Sequence, residues 1–337
     1  MDGNVIAVGN RGAEWHRWEP HIHAPGTVLA DQYPQSDGWN LYLEALEAVS
    51  PPLRAIGITD YCITRSYERV KAERDKGRIK GCDLLFPNIE LRLDTGTVKG
   101  NFVNIHLLAS PEGPDHVTEL NRFLGRLTFR ACNDEFACTP SELVRLGRRL
   151  DPTKVNDEAA LRHGCSQFKV SLKNLLDAYG TIEWARDNIL IAVAGNADGT
   201  SGVREAADTT LREEIEKAAH AIFASSPKQR EFWLGSGKAS VGDLRERYGG
   251  QKPCLWGCDA HDLSRVGKPA EDRLCWIKGM PTFDALRQAC IEPERAYVGP
   301  SPPSWAAASQ IIDAVLLEGA PWAKTPAVRL NPGLVAA

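Results

Sequence analysis

The sequence has no apolar run long enough to cross a lipid bilayer. Its longest runs, such as residues 189–194 and 314–317, fall far short of the roughly 20 residues that a transmembrane helix needs. The first 15 residues also lack a basic segment followed by an apolar stretch, which is the pattern of a secretory signal. We therefore expect no contact with a membrane and a cytoplasmic location.

An excess of charge of either sign is also missing. The 337 residues carry 40 Lys and Arg against 44 Asp and Glu, a formal net charge of −4, so any contact with nucleic acid must be local. Hydrophobic residues make up 43% of the chain and charged residues 25%, which excludes a disordered chain. The nine cysteines show no zinc-finger spacing, and free thiols in a reducing compartment account for them.

Short apolar runs alternate with amphipathic segments along most of the chain. This alternation predicts an α/β fold with a mainly parallel sheet, and the length suits one barrel with insertions. Residues 110–185 are poor in strand signals and predict a helical insertion, and residues 300–304 (PSPPS) predict a linker. The predicted strands are residues 54–59, 84–89, 102–108, 188–194 and 253–256, and the predicted helices are residues 39–49, 67–78, 211–223 and 304–317. Residues 327–337 resemble a strand without a partner.

Five motifs that contain His, Asp or Glu accompany the predicted strands. They are WEPHIH (residues 18–23), GITD (57–60), PNIE (87–90), NIH (104–106) and GCDAH (257–261). Each has an ordinary structural interpretation by itself, because Asp60 could cap a helix, Glu90 could pair with Arg92 or Lys99, and His106 could be a core histidine. Together they would fill the mouth of a parallel barrel with buried carboxylates and imidazoles, which is costly without a cation. The set therefore predicts a metal site.

The order of these motifs resembles that of the PHP (polymerase and histidinol phosphatase) domain, over residues 15–299. The resemblance implies a distorted (β/α)7 TIM-like barrel that holds up to three metal ions and cleaves phosphoesters. The segments GITDY (57–61), LLFPNIELRL (84–93), KQREFWLG (228–235), GKPAEDRLCWIKG (267–279) and PTFDAL (281–286) are similar to the TrlF-like branch, in which an ATPase domain follows. That branch is similar to bacterial antiphage defence proteins.

The resemblance also assigns metal ligands. The first site would consist of His21, His23, Glu90 and Asp259, and the second would share Glu90 and add His106. The second site lacks a histidine that the family has near residue 195, where Asn196, Asp198 or a water molecule could supply an oxygen ligand instead. The third site has Tyr61 in place of a histidine and keeps only His261. We thus expect one complete divalent metal site, for Zn or Mn, and a weaker second one.

The resemblance implies further roles around the metal ions. Asp60 would orient a ligand imidazole, His261 would act as a general acid or remaining ligand, and Tyr61 would donate a hydrogen bond to a phosphate oxygen. Arg65, Lys268 and Arg273 are candidates for binding the substrate, although each could be a solvated surface charge. Six arginines at roughly helical spacing form either a basic stripe or a salt-bridged surface: Arg122, Arg126, Arg130, Arg145, Arg148 and Arg149.

The function that this reasoning predicts is that of a metal-dependent phosphoesterase, with DNA or RNA as the substrate of a nuclease effector in antiphage defence. The alternatives are a small-molecule phosphatase and a metal-binding sensor or nucleic-acid-binding module with weak catalysis. The expected partner is an ATPase domain or subunit, and a homo-oligomer is also considered. Residues 330–335 resemble the segment that precedes the ATPase domain in relatives, but no Gly-x-x-x-x-Gly-Lys-[Ser/Thr] motif occurs. We therefore expect either part of a longer protein or a chain that has lost its ATPase, and no nucleoside triphosphatase activity.

Overall fold

A nine-stranded sheet with helices packed against it forms the core of the protein. The computed structural model describes residues 14–205, 207–224 and 226–303, together with the backbone of two short strands near the end of the chain. Across the sheet the strands follow in the order Ala296–Gly299, Leu274–Lys278, Trp15–His23, Ala55–Tyr61, Leu84–Gly96, Phe102–Ala109, Ile189–Ala194, Ala221–Phe223 and Cys254–Leu255, and the two outermost strands lie next to each other. The sheet is therefore a nearly closed barrel, which confirms the predicted α/β barrel class.

The strands are β1 (Trp15–His23), β2 (Ala55–Tyr61), β3 (Leu84–Gly96), β4 (Phe102–Ala109), β5 (Thr128–Ala131), β6 (Asp134–Ala137), β7 (Ile189–Ala194), β8 (Ala221–Phe223), β9 (Cys254–Leu255), β10 (Leu274–Lys278), β11 (Ala296–Gly299), β12 (Ala314–Leu316) and β13 (Ala327–Arg329). Seven strands of the large sheet run in one direction, while β4 and β10 run antiparallel to their neighbours. The sheet is thus mainly parallel, with two reversed strands that the alternation of elements did not predict.

The helices are α1 (Gly38–Glu47), α2 (Arg65–Asp75), α3 (His116–Leu124), α4 (Pro140–Leu150), α5 (Asp157–Gln167), α6 (Leu172–Thr181), α7 (Glu183–Asn188), α8 (Thr209–Ala218), α9 (Pro227–Trp233), α10 (Val241–Tyr248) and α11 (Phe283–Ile291). Helices α3 to α7 occupy the region where the sequence predicts a helical insertion, and the antiparallel pair β5–β6 lies among them. None of the described helices is both long and apolar enough to span a membrane.

Apolar side chains from all nine strands of the large sheet meet in one cluster, which fills the barrel interior. Phe86 on β3 belongs to this cluster, and Leu108 on β4 packs with it. Side chains two residues apart on a strand share a face, so the residues that follow Phe86 at even spacing point towards the same interior. The apolar layer therefore ends, and polar side chains begin, further along β3.

Two predicted helices differ from the structure. The helix predicted over residues 211–223 ends at Ala218, and Ala221–Phe223 form β8 instead, because their backbone groups pair with β7 and β9 inside the barrel. The helix predicted over residues 304–317 is wrong for Ala314–Leu316, which pair with Ala327–Arg329 as an antiparallel ladder. That pairing also gives residues 327–329 the partner that the sequence did not reveal. The remaining residues of the predicted segments 304–317 and 327–337 lie outside the described residues.

Helices α4 and α5 pack at very close range through two glycines. A Cβ atom added at Gly147 would lie 1.9 Å from the carbonyl oxygen of Ala160, and one added at Gly164 would lie 1.9 Å from that of Leu143. Only glycine permits this approach of two backbones, and the approach holds α4 and α5 together.

We expect Gly147→Ala to destabilise the protein by about 1–3 kcal/mol, because the added methyl group forces the α4 and α5 backbones apart. Gly180→Ala is the matched control, since Gly180 also lies in a helix but nothing surrounds its Cβ position within 4 Å. It should be neutral or gain less than about 1 kcal/mol. Denaturant unfolding of both variants measures the difference, and equal midpoints would contradict this account of the contact.

Candidate metal centre

The first two candidate ligands lie at the end of β1, where the strand carries one extra residue relative to β2. The pairing with β2 shifts between Glu19 and Ile22, so a bulge lies at Pro20 and His21. Bulges of this kind occur beside functional sites because they re-aim side chains. Both His21 and His23 direct their Nε2 atoms at the same carboxylates, in agreement with the i, i+2 spacing.

The loop that follows β9 is held against the end of β1 by backbone hydrogen bonds. The Asp259 N–H donates to the carbonyl of His21 at 2.9 Å, and the His23 N–H donates to the carbonyl of Ala260 at 3.2 Å. Gly257 makes this contact possible, because a Cβ atom there would lie 2.6 Å from the Cβ of His21. These bonds bring the Asp259 carboxylate to the two histidines.

The third and fourth strands supply the remaining candidates. Glu90 on β3 lies directly opposite His106 on β4 and beside Tyr61 on β2. Glu90 is four residues beyond Phe86 on the same face of β3, so its carboxylate points into the barrel above the apolar layer. The antiparallel pairing of β3 and β4 therefore places an acid and an imidazole side by side at the barrel mouth.

The five predicted metal ligands lie together. The His21 Nε2 atom is 3.4 Å from Glu90 Oε2 and 3.3 Å from Asp259 Oδ1, and the His23 Nε2 atom is 3.5 and 3.6 Å from the same two oxygens. The donor atoms form two sets, and within each set they lie no more than 4.8 Å apart. One set consists of His21, His23 and Asp259, and the other of His21, Glu90 and His106. His21 belongs to both sets.

The donor atoms fit a divalent cation. Nε2 of His21 and Nε2 of His23 are buried and make no hydrogen bond of ordinary geometry, although burying an unpaired polar atom costs free energy. A cation among the two nitrogens and two carboxylate oxygens would satisfy all of them. Imidazole and carboxylate together suit zinc, manganese and iron.

A chain of hydrogen bonds fixes the orientation of His23. The Thr27 hydroxyl donates to Asp60 Oδ1 at 3.2 Å, so its oxygen accepts from Nδ1 of His23 at 3.0 Å. Asp60 is buried and accepts further bonds from the N–H of Val28 and the hydroxyl of Ser66. His23 therefore carries its proton on Nδ1 and keeps a lone pair on Nε2, facing the cluster. Asp60 is connected to the candidate ligand His23 through Thr27, a residue that the sequence analysis did not identify.

Two asparagines on the same strands position the other ligands. The Asn88 side-chain amide donates to the carbonyl of Pro20 at 3.0 Å, which turns its oxygen towards Nδ1 of His106, 3.1 Å away. The Asn104 amide donates to Glu90 Oε1 at 2.9 Å, which leaves Oε2 for the cluster. Strand alternation could have identified both asparagines, since each lies two residues from a predicted ligand.

Glu19 is a buried carboxylate that the sequence analysis missed. It accepts hydrogen bonds from the N–H groups of Cys258, at 2.9 Å, and of His21, at 3.4 Å. Burial raises its pKa to about 7, against these stabilising hydrogen bonds. Glu19 therefore ties the loop after β9 to β1.

The charges of the cluster shift the pKa values of its members. Burial opposes the charged form of His21, but Asp259 and Glu90 outweigh it and raise its pKa to about 9. Burial alone would raise the pKa of Glu90, yet the imidazoles of His21 and His23 hold it well below its ordinary value. Burial lowers the pKa of His23 to about 4 and that of His106 to about 3. Of the three imidazoles, only that of His21 is therefore charged at neutral pH, while those of His23 and His106 are neutral.

His261 and Tyr61 stack on the ring of His23. The ring centroids of His23 and His261 are 4.0 Å apart, and those of His23 and Tyr61 are 4.8 Å apart, each pair with planes inclined by 20°. The His261 Nε2 atom lies 3.4 Å from Asp259 Oδ1, and its Nδ1 atom is buried without a hydrogen-bond partner. Burial raises the pKa of the Tyr61 hydroxyl, which therefore keeps its proton at neutral pH.

The cluster opens into a cavity of about 680 Å³, which is within the size range of ligand sites. Its polar and charged lining residues are His21, Tyr61, Glu90, Arg92, Asn101, Asn104, His106, Ser166, Gln167, Lys169, Asn196, Asp198, Asp259 and Arg265, and its aromatic ones include Phe102, Phe223 and Trp256. Asn196 and Asp198 therefore lie at the cavity, but neither belongs to the two sets of close donor atoms.

The cations at the cavity differ from those that the sequence analysis nominated. Arg65 forms an ion pair with Glu158 at 2.5 Å, and neither Arg65 nor Lys268 lines the cavity. Arg273 lies over the ring of Trp256, with 4.9 Å to the centroid, and is not among the residues that line the cavity. The cations on the wall itself come from three distant parts of the chain, and they are Arg92, Lys169 and Arg265.

The arginine-rich helices of the insertion present mostly paired charges. Arg145 contacts Asp134 and Glu142, and Arg148 contacts Asp157. Two of the other four arginines, at positions 122 and 130, also lie within 4.0 Å of a glutamate carboxylate. These pairs favour the salt-bridged surface over the basic stripe, the two interpretations that the sequence left open.

Comparison with protein-family models gives no match, and no curated protein matches the sequence. Among solved structures, a Bifidobacterium adolescentis protein provisionally described as a metal-dependent phosphoesterase is similar to this chain at 12% identity. The match has a TM-score of 0.39 and covers 82% of this chain and 96% of that chain. An identity and a TM-score this low do not establish a shared family or a shared activity.

Thr27→Val should weaken metal binding by about 10–100-fold. The substitution keeps the shape of the side chain but removes the hydroxyl that accepts the hydrogen bond from Nδ1 of His23. Thr27→Ser retains the hydroxyl and should bind nearly as the wild type does. Titration of each variant against a chelator of known affinity measures the change. Equal affinities of the valine and serine variants would rule out this role of Thr27.

Metal binding should release a proton from His21. Its pKa of about 9 keeps it charged at pH 7, and a metal ion takes only the neutral nitrogen, so apparent affinity should rise about tenfold per pH unit from pH 7 to 9 and then level off. Isothermal titration calorimetry in two buffers of different ionisation heat reports the released proton directly. An affinity that is flat between pH 7 and 9 would show that His21 is neutral beforehand.

Proposed function

We propose that the chain is a metal-dependent phosphoesterase that cleaves phosphodiesters of nucleic acid. One observation carries this proposal: two buried imidazole nitrogens without hydrogen bonds face two carboxylates at the mouth of a cavity with cationic walls. Carboxylates and imidazoles suit a divalent ion, and cations on the wall suit an anionic substrate. The groups suited to a metal ion and the cations suited to an anionic substrate thus lie at the same cavity.

The residues divide the work of such a reaction among them. A divalent ion held by His21, His23, Glu90 and Asp259 would polarise the phosphoryl group and make water nucleophilic near neutral pH. His106, held by Asn88, is positioned to share a second ion with Glu90. We assign to His261 the proton that the leaving oxygen takes up, because its Nε2 atom lies 3.4 Å from Oδ1 of Asp259, which lines the cavity.

The nuclease specificity is supported by the cavity and by the resemblance of the sequence to the TrlF-like branch. The cavity combines the cations Arg92, Lys169 and Arg265 with the aromatic rings of Phe102 and Trp256, a combination that single-stranded nucleic acid binds well. A role in antiphage defence and an ATPase partner stay predictions that rest on the resemblance alone.

A second candidate function is a metal-binding sensor or nucleic-acid-binding module with weak turnover. Two family histidines are replaced in this chain, by Tyr61 and by the Gly195–Asn196 pair. Tyr61 fills its position by stacking on His23, and at the other position Gly195 has no side chain while Asn196 carries an amide. Neither position can offer an imidazole to an ion.

Purified protein with Mn²⁺ or Zn²⁺ should cleave single-stranded DNA or RNA and an aryl phosphodiester, and chelation should abolish the cleavage. His23→Ala should reduce kcat by at least about 100-fold, more than the loss expected for an outer-sphere partner, because it removes a ligand. His163→Ala is the control, since His163 lies on α5 outside the cavity.

Elemental analysis of the same samples separates the candidates. Bound metal without cleavage of any substrate would favour the sensor, while cleavage of phosphomonoesters alone would favour a small-molecule phosphatase. Turnover in His23→Ala that equals that of the control variant would refute the metal-dependent mechanism.

A further inference from the structure

The insertion contributes one wall of the cavity. The segment between α5 and α6 runs beside the far end of β3, where the Val170 N–H donates to the carbonyl of Arg92 and the Asp94 N–H donates to the carbonyl of Val170, both at 3.0 Å. Because of this short parallel contact, the side chains of Ser166, Gln167 and Lys169 reach the cavity next to Arg92. Two separate parts of the chain therefore supply neighbouring cations.

Arg92 lies directly beyond the metal cluster. It is two residues after Glu90, so the two side chains share the inward face of β3, and it lies opposite Asn104, whose amide holds Glu90. Its guanidinium bonds only weakly to the carbonyl of Ser166, at 3.4 Å. Arg92 is thus the next residue after Glu90 on the inward face of β3, and it is a cation.

Lys169 sits on an aromatic surface beside Arg92. Its Nζ atom lies 4.4 Å from the ring centroid of Phe102 and 5.8 Å from that of Phe129, and it donates to the carbonyl of Gln167 at 3.0 Å. Burial, and to a smaller extent the charge of Arg92, lowers the pKa of Lys169. Arg92 and Lys169, both half-buried, therefore lie close enough to repel each other electrostatically.

Neither cation has a carboxylate partner among the described residues, whereas arginines of the insertion surface such as Arg145 and Arg148 do. The remaining carboxylate of the cavity wall, Asp198, accepts a bond from the Asn101 amide at 2.6 Å and pairs with neither cation. Placing two cations side by side without counter-charge is unfavourable unless an anion joins them. The pair is therefore suited to binding an anion next to the candidate metal ligands.

We infer that Arg92 and Lys169 bind a second phosphate, the one that follows the scissile phosphodiester in a single-stranded nucleic acid. This inference rests on the proposed function and names the substrate class of the same cavity. Phe102 and Trp256 also line the cavity, and aromatic rings in such a place suit the bases that lie between the phosphates. A small phosphomonoester would leave this subsite empty.

The test compares Lys169→Gln with Lys173→Gln, a matched substitution on an exposed lysine of the same insertion that pairs with Asp177 outside the cavity. Two substrates are used, pentathymidylate, which has adjacent phosphates, and bis(4-nitrophenyl) phosphate, which has one. We expect Lys169→Gln to lower the ratio of kcat/KM for pentathymidylate to kcat/KM for the aryl diester by about tenfold, mostly through KM. Lys173→Gln should leave the ratio unchanged. Lys169→Arg keeps the positive charge and should retain most of the wild-type ratio.

Binding measured without turnover keeps this inference separate from the proposed function. Fluorescence anisotropy of labelled pentathymidylate in EDTA should show weaker binding by Lys169→Gln, with a slope of log K against log salt that is about 0.7 less steep, as for one lost phosphate contact on a single strand. Such binding without cleavage under any metal would refute the phosphoesterase but support the subsite. Cleavage of pentathymidylate that Lys169→Gln and Lys173→Gln perform equally well would overturn the subsite and leave the phosphoesterase standing. Cleavage of small phosphomonoesters without any binding of pentathymidylate would also overturn it.

Discussion

The structure depends on one electrostatic requirement, that two buried imidazoles and two carboxylates share a small space at the barrel mouth. His21 and His23 present their Nε2 atoms to Glu90 and Asp259 at 3.3–3.6 Å, and a positive charge among these groups, from a metal ion or from the proton on His21, offsets the cost of bringing the two carboxylates together. The bulge in β1, the close approach of Gly257 and the hydrogen-bonded chain from Asp60 through Thr27 all serve to hold this geometry.

The barrel interior is divided into layers by the alternation of its strands. On β3, the inward face carries Phe86 in the apolar layer, then Asn88, then Glu90 among the candidate metal ligands, and finally Arg92 beside the insertion. Each step of two residues thus leads from a packed side chain to an amide that orients His106, then to a candidate ligand, and then to a cation on the cavity wall. The insertion then adds Lys169, so a segment outside the sheet completes the wall of the cavity.

Much of the fold and most of the cluster could be predicted, and the failures have physical causes. Apolar runs located β2, β3, β4, β7 and β9 because buried strands need continuous apolar residues. The reversed direction of β4 was not predictable from periodicity, which carries no direction, and Ala221–Phe223 read as helix because a short apolar run fits either structure. Arg65 was a candidate for binding the substrate, but it is paired with Glu158, a contact across 93 positions that a linear pattern does not reveal.

The sequence by itself determined which side chains could hold a metal ion, since imidazole and carboxylate chemistry and the i, i+2 spacing of His21 and His23 are local properties. Only the tertiary structure decided which polar groups orient those ligands and which cations reach the cavity. Thr27, Asn88 and Lys169 act through partners that are 4 to 77 positions away along the chain, and hydrogen bonds and charges act over distances in space that a linear pattern does not record.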